Sequence, residues 1–208
     1  MHLRRFLLGT VIAAPLLGTM AAAAQAQALS ADDAKAFISQ SGQQLVAIVN
    51  GGGSAADKAT QLRTLVNQIV AVDQVGDYVL GRYINIATPA QHTKFQQLFH
   101  QLLSYNITYQ IKAYQGVSFT VNSATPQGDG VLVDTTITTP GKAPADVGWD
   151  VAEVGGKPQI MDVIVAGTSM RITTRNDYAS VITDNGGNVS ALLTAMQNQI
   201  NKASEAQD

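Results

Sequence analysis

Two histidines and two aspartates are the residues whose spacing could support metal or acid–base chemistry. His92 and His100 lie eight positions apart in a segment with helical periodicity, whereas metal-binding pairs on helices usually lie four apart with a carboxylate nearby. Asp73 and Asp77 lie four apart and could converge for acid–base work. Acidic residues near a helix start more often interact with the helix dipole. We therefore predict solvent-facing polar histidines, no metal site and no catalytic carboxylate pair.

The other catalytic signatures are incomplete. Ser169 lies in the sequence GTSMR, which lacks the closing glycine of a nucleophile elbow, so we expect it to cap the following helix. The glycines at 51–53 lie between predicted helices and do not follow a strand, which argues against a phosphate-binding loop. The chain contains no cysteine, so it has neither disulfides nor thiolate metal sites. The sequence therefore predicts a protein that is not an enzyme and has no cofactor.

The N-terminus has the three parts of a secretory signal peptide, which we assign to residues 1–28. Arg4 and Arg5 supply the positive charge, an apolar run follows, and two A-x-A cleavage sequences come next. An uncleaved membrane anchor is the alternative, but the apolar run is shorter than the ~20 residues that span a bilayer. We predict export, with cleavage between Ala26 and Ala28.

The remaining residues, 29–208, are predicted to form one domain. Without Arg4 and Arg5 they contain 11 basic and 15 acidic residues, a net charge of −4. This charge argues against a nucleic-acid partner and against strong adhesion to anionic lipid headgroups. Only 13% of the whole chain is charged, against roughly 25% in a typical domain, while 46% is apolar. Much apolar surface must therefore be buried or used for binding.

The first half of the domain has helical periodicity. The helical segments are residues 30–50, residues 55–70, one or two short helices in residues 72–86, and a long helix from residue 88 toward Gln115 and Gly116. Thr88, Pro89 and Gln91 are typical of a helix start: a capping hydroxyl, a proline at the first position, and a glutamine three residues after the cap. These signals place the start of the long helix at Thr88.

After Gly116 the period changes to the alternation of half-buried strands. Turn sequences recur every 8 to 15 residues, which predicts an antiparallel meander of about four strands. The predicted strands are residues 117–121, 131–137, 147–151 and 160–165, and two helices follow at residues 169–183 and 189–202. The order of helices, strands and helices predicts an α+β fold in which the early helices cover one face of the sheet.

Three motifs follow one another between about residues 60 and 200. They are VLGRY at 79–83 with ATPAQ at 87–91, Phe95 and Phe99; then YQG at 114–116; then DVIVAGTSM at 162–170 with TTRNDY at 173–178. In this order and spacing, the chain resembles the MlaC (toluene-tolerance) family of periplasmic phospholipid-binding proteins. Ala166 and Thr168 differ from it, because the family usually has Glu and Val there. The family has a hopanoid-associated (HpnM-like) branch, and the motifs do not separate the two.

The resemblance implies an α+β domain in which an antiparallel sheet and N- and C-terminal helices surround an apolar cavity. The cavity takes acyl chains while the headgroup stays outside. The implied role is a periplasmic carrier that moves phospholipid between an outer-membrane lipoprotein–porin complex and an inner-membrane ABC transporter with an MCE-domain subunit, maintaining outer-membrane lipid asymmetry. We expect a monomer. The alternatives are a hopanoid carrier of the same fold, a small exported hydrolase using Asp73 or Asp77, and an adaptor protein with a solid core.

A carrier must cover the tails of its lipid, since each CH₂ exposed to water costs about 0.8 kcal/mol. Periodicity indicates which side chains share an inward face. The predicted walls are Phe119, Val133, Trp149, Val163 and Val165 on the sheet, and Phe95, Leu98, Phe99 and Leu102 on the long helix. The predicted mouth consists of Tyr83, Tyr105, Met170 and Ile172.

Overall fold

The computed structural model describes residues 28–109 and 115–205. The predicted signal peptide, apart from Ala28, lies outside them, and so does Tyr114 of the second motif. The elements are α1 (Ala31–Asn50), α2 (Ala55–Ile69), α3 (Val72–Leu80), a 3-10 helix (Gly81–Asn85), α4 (Pro89–Tyr109), β1 (Ser118–Gln127), β2 (Gly130–Thr138), β3 (Ala145–Val154), β4 (Lys157–Val165), β5 (Thr168–Ser169), α5 (Met170–Asp184) and α6 (Val189–Glu205). The α+β class predicted from the sequence is confirmed.

Side-chain caps fix where the helices begin. The Thr88 hydroxyl accepts a hydrogen bond from the backbone N–H of Gln91 (3.2 Å), and the Gln91 side chain accepts one from the N–H of Thr88 (2.9 Å). Ser54 and Asp57 form the same reciprocal capping box at α2. Each cap satisfies backbone N–H groups that have no partner inside the helix. The predicted start of the long helix is therefore confirmed.

The strands form an antiparallel meander in the order β1-β2-β3-β4-β5. The prediction of about four strands omitted β5, whose Thr168 and Ser169 pair with Val165 and Ile164. Ala166 and Gly167 both have positive φ (49° and 76°) and turn the chain back on itself. A two-residue strand has no alternation that a sequence pattern could detect, so this return was not predicted.

The interior of the described residues contains two main apolar clusters. The sheet core lies between α1 and the sheet face that carries Val131, Val133 and Val151; we call this the inner face. The helical core joins α3, α4, α5 and α6. Val70, which follows α2, packs against both clusters. The early helices thus divide: α1 covers the sheet as predicted, whereas α3 and α4 pack mainly with the C-terminal helices.

No helix in residues 28–109 or 115–205 combines the length and apolar character needed to cross a bilayer.

Candidate binding site

The five predicted wall residues of the sheet all lie on its inner face. Val133 pairs with Trp149, and Trp149 pairs with Val163, so these three side chains form a row across β2, β3 and β4. Val165 lies in the next row, opposite Val147, and Phe119 lies opposite Ile137. Val133 is fully buried, but Trp149 and Val163 are half-buried and Val165 is 39% exposed. The inner face therefore has apolar surface that the sheet core does not cover.

The Trp149 indole is held by a buried hydroxyl. Its Nε1–H donates to Thr135 Oγ1 at 2.9 Å, and that hydroxyl donates to the carbonyl oxygen of Val147 at 3.0 Å. Thr135 is fully buried, so an unpaired hydroxyl there would cost about 1–3 kcal/mol. With both groups paired, the row presents its apolar atoms without an unsatisfied polar one.

A groove of about 820 Å³ lies between α1 and the edge strand β1. Its size falls within the roughly 300–1,000 Å³ of small-molecule sites. Its lining is Asp32, Lys35, Ala36, Ser39, Gln43, Val46, Ala47, Ser118, Phe119, Thr120 and Val121. The charged residues belong to the first turns of α1 and the apolar Val46 and Ala47 to its last turns. The charged part of the lining therefore lies at the N-terminal end of α1.

Phe119 links this groove to the sheet core, and Gly42 makes room for its ring. A Cβ at Gly42 would overlap three ring carbons of Phe119, the farthest of them at 2.6 Å. Only glycine lets the ring lie directly on the α1 backbone. In the sequence, Gly42 stands out as a glycine within an amphipathic helix. The spacing of residues does not show that Phe119 is the side chain that packs against it.

The predicted helical wall residues lie in the helical core. Phe95, Leu98, Phe99 and Leu102 are at most 7% exposed, and the rings of Phe95 and Phe99 are stacked at 5.8 Å between centroids. They pack with α3, α5 and α6, not in the inner-face row. Their role as pocket walls remains a prediction.

The four predicted mouth residues are brought together only in part. Tyr83 and Ile172 line a second groove of about 360 Å³ between the α3–3-10 junction and α5; we call it the arginine groove. Met170 and Ile172 in the first turn of α5 are 37% and 47% exposed. Tyr105 instead packs at the border of the helical core. Whether these four residues surround an entrance stays a prediction.

Asp162 fixes the corner between β4 and α5. Its buried carboxylate accepts hydrogen bonds from the Ser169 hydroxyl and from the N–H groups of Val163 (2.8 Å) and Arg171 (2.9 Å). The Arg171 guanidinium also donates to Asp150 at 3.3 Å. Burial raises the pKa of Asp150, and the charge of Arg171 opposes that rise. The motif that contains Asp162 and Ser169 therefore has a structural role at this corner.

Ser169 also caps α5, as predicted: its hydroxyl accepts from the N–H of Ile172 at 3.0 Å.

The histidines and aspartates considered for chemistry form two separate pairs. His92 Nε2 lies 2.7 Å from Asp77 Oδ1, and His100 Nε2 lies 2.8 Å from Asp73 Oδ1. The Gln96 amide donates to both Asp77 Oδ1 (2.6 Å) and the Asp73 carbonyl oxygen (3.0 Å). The aspartates thus bind α4 instead of converging. The histidine side chains are 35% and 38% exposed, so they are only partly solvent-facing.

Within the described ranges, no group of three or more His, Cys, Asp or Glu residues is arranged to hold a metal ion.

Comparison with known proteins gives three matches. The family model described as MlaC protein matches residues 39–198. The toluene tolerance protein ttg2D of Pseudomonas putida is 24% identical over 149 residues, which cover 71% of this chain and 69% of that protein. The structure of a phospholipid-binding protein from Ralstonia solanacearum, in complex with a phospholipid, has a TM-score of 0.73 at 18% identity, covering 82% of this chain and 98% of that one. The structural match shows a shared fold.

Proposed function

Since the chain belongs to the MlaC family, we propose that it is a periplasmic carrier that binds the acyl chains of a phospholipid and transports the lipid between membranes. The similar Ralstonia solanacearum protein binds a phospholipid, and its fold extends over 82% of this chain. The predicted signal peptide supports export to the periplasm.

The main support is the incompletely covered inner face. Trp149, Val163 and Val165 keep apolar surface accessible beside a sheet core that α1 only partly closes. If these side chains served only to stabilise the fold, burying them would add about 25 cal/mol to the stability for each Å² removed from water. An accessible apolar row is therefore better explained by a ligand that covers it. Acyl chains fit such a surface because they require no directional contacts.

We infer binding and not catalysis from the positions of the carboxylates. Asp73 and Asp77 each accept a hydrogen bond from a histidine of α4, and Asp162 is engaged by three donors at the β4–α5 corner. A general base must reach a proton of its substrate. None of these carboxylates lies on the inner face, so the hydrolase alternative gains no support from the geometry.

The lipid would be exchanged with an inner-membrane ABC transporter that has an MCE-domain subunit and with an outer-membrane lipoprotein–porin complex. Exchange of this kind would maintain the lipid asymmetry of the outer membrane. The family resemblance supports these partners. Co-purification of the full-length chain with either complex, from cells that express all components, tests the assignment.

Native mass spectrometry of the protein purified from cells tests the carrier function. We expect about one phospholipid per chain, because one domain offers one inner face. Val163→Glu should lower the occupancy, since it places a charge within the apolar row. The control is Ile86→Glu, at a side chain that is 59% exposed and not on the sheet, and it should retain its lipid.

Delipidated protein that takes up no phospholipid from vesicles would contradict the proposal. Equal occupancy in the two variants would show that the tails bind elsewhere. A hopanoid in place of a phospholipid would select the alternative carrier of the same fold.

A further inference from the structure

The arginine groove concentrates positive charge on a chain whose exported part is net negative. Arg82 and Arg175 both line it and both are exposed. Neither makes a salt bridge with a carboxylate in the described part of the chain. Arg171, beside them, is instead ion-paired with Asp150 and Asp162. Two guanidinium groups in one concave site therefore have charge available for an anionic ligand.

Aromatic rings hold these guanidinium groups in place. Arg82 Cζ lies 5.0 Å from the centroid of the Tyr83 ring, and the Arg82 guanidinium donates to the Tyr83 hydroxyl at 2.9 Å. The Tyr83 hydroxyl is in turn 2.7 Å from Thr183 Oγ1 on α5. Arg175 Cζ lies 5.2 Å from the centroid of the Tyr78 ring. Cation–π contacts and this hydrogen-bond chain limit the rotamers, which reduces the entropy lost when a ligand binds.

Gly81 gives Arg175 access to the groove. Its φ of +57° suits glycine, and a Cβ there would lie 2.8 Å from Arg175 Nε. The guanidinium therefore lies against a backbone without a side chain. This brings Arg175 next to the residue that precedes Arg82.

We propose that the arginine groove binds a phosphate group through Arg82 and Arg175. The planar guanidinium fork matches phosphate oxygens in geometry, and charge-assisted hydrogen bonds are roughly twice as strong as neutral ones. Asn176 adds a side-chain amide, and Ile172 adds an apolar flank that is 47% exposed. If the chain carries phospholipid, as proposed above, the phosphate of the lipid headgroup is the natural ligand. Glycerol 3-phosphate is the soluble form of the same chemistry.

The test compares a lipid that has a phosphate in its headgroup with a lipid that has none. Delipidated protein is incubated with vesicles containing phosphatidylglycerol or diacylglycerol with the same acyl chains, and bound lipid is measured by mass spectrometry. We expect the wild-type protein to prefer the phospholipid by about tenfold, the size of one charge-assisted hydrogen bond. The double variant Arg82→Gln/Arg175→Gln should bring this ratio close to one. Arg63→Gln, an exposed arginine of α2 outside the groove, should leave the ratio as in the wild type.

A second arm titrates glycerol 3-phosphate by calorimetry. One outcome is that the wild type binds glycerol 3-phosphate and the double variant does not, while the first arm shows no preference for phosphatidylglycerol. That result would support the phosphate site, with a soluble ligand in place of the lipid headgroup. A lipid ratio unchanged by the double variant, together with no arginine-dependent binding of glycerol 3-phosphate, would overturn the groove assignment. The carrier function would survive that result as long as both lipids are taken up. Uptake of neither lipid would instead refute the carrier function, leaving the groove to be decided by the second arm.

Discussion

The contact between Gly42 and Phe119 makes a quantitative prediction about Gly42→Ala. In an exposed helix interior, this change normally stabilises a protein by about 1 kcal/mol, because alanine has the higher helix propensity. At position 42 the new Cβ would overlap the Phe119 ring, with even the farthest of three ring carbons at 2.6 Å. Carbon atoms pack best at about 3.5–4.0 Å, so the ring or α1 must move by about 1 Å or more.

Displacing a packed ring in this way typically costs about 1–3 kcal/mol. In the wild-type background, Gly42→Ala should therefore lower the free energy of unfolding by about 0–2 kcal/mol, the overlap cost less the gain in helix propensity. In a Phe119→Ala background the overlap is gone, and the same substitution should stabilise by about 1 kcal/mol. The predicted coupling between the two positions is about 1–3 kcal/mol, within the range measured for residues in contact.

Urea unfolding of the wild type, the two single variants and the double variant measures this coupling. Gln40→Ala, at an exposed position of α1, serves as the control and should have the same small effect in both backgrounds. If Gly42→Ala stabilises by about 1 kcal/mol with Phe119 present, the ring does not lie on α1 and our account of the α1–β1 groove is wrong.

Three further predictions concern single residues. Trp149 is the only tryptophan and lies on the inner face, so phospholipids brominated on their acyl chains should quench its fluorescence; unchanged fluorescence in lipid-loaded protein would place the tails elsewhere. Burial raises the pKa of Tyr178 to about 12, so the neutral phenol stabilises the fold below about pH 10 and this contribution is lost as the pH rises toward 12. Denaturant unfolding should show this loss of stability in the wild type but not in Tyr178→Phe. Burial also raises the pKa of Asp150, so ionisation of Asp150 destabilises the fold as the pH rises above about 3.9, the usual pKa of an aspartate. The free energy of unfolding of Asp150→Asn, minus that of the wild type, should therefore be more favourable at about pH 7 than at about pH 3; the reverse order in urea unfolding would contradict this.

The sequence predicted local structure well where neighbouring residues determine it. The cap at Thr88 depends on Gln91 three positions later, and the shared inner face of Val133 and Trp149 depends on the alternation in β2 and β3. Both signals are complete within a few residues. They were therefore sufficient to place the helix start and the shared face of the sheet residues.

The long-range arrangement was harder to predict. An apolar stripe on α4 shows which side is buried but not which elements cover it, so the packing of Phe95 and Leu98 against α3, α5 and α6 could not be predicted. The arginine groove joins Arg82 to Arg175, which are far apart in sequence and share no periodic pattern. Such pairings depend on chain topology, which single-sequence patterns do not encode.

The division of the interior into a sheet core and a helical core, both touched by Val70, has a consequence for how the domain can open. Clusters with so little in common can respond to strain independently, because separating one from its neighbour leaves the contacts inside each intact. An opening between the two clusters would therefore leave the packing within each of them unchanged. A guest molecule could then be admitted without global unfolding.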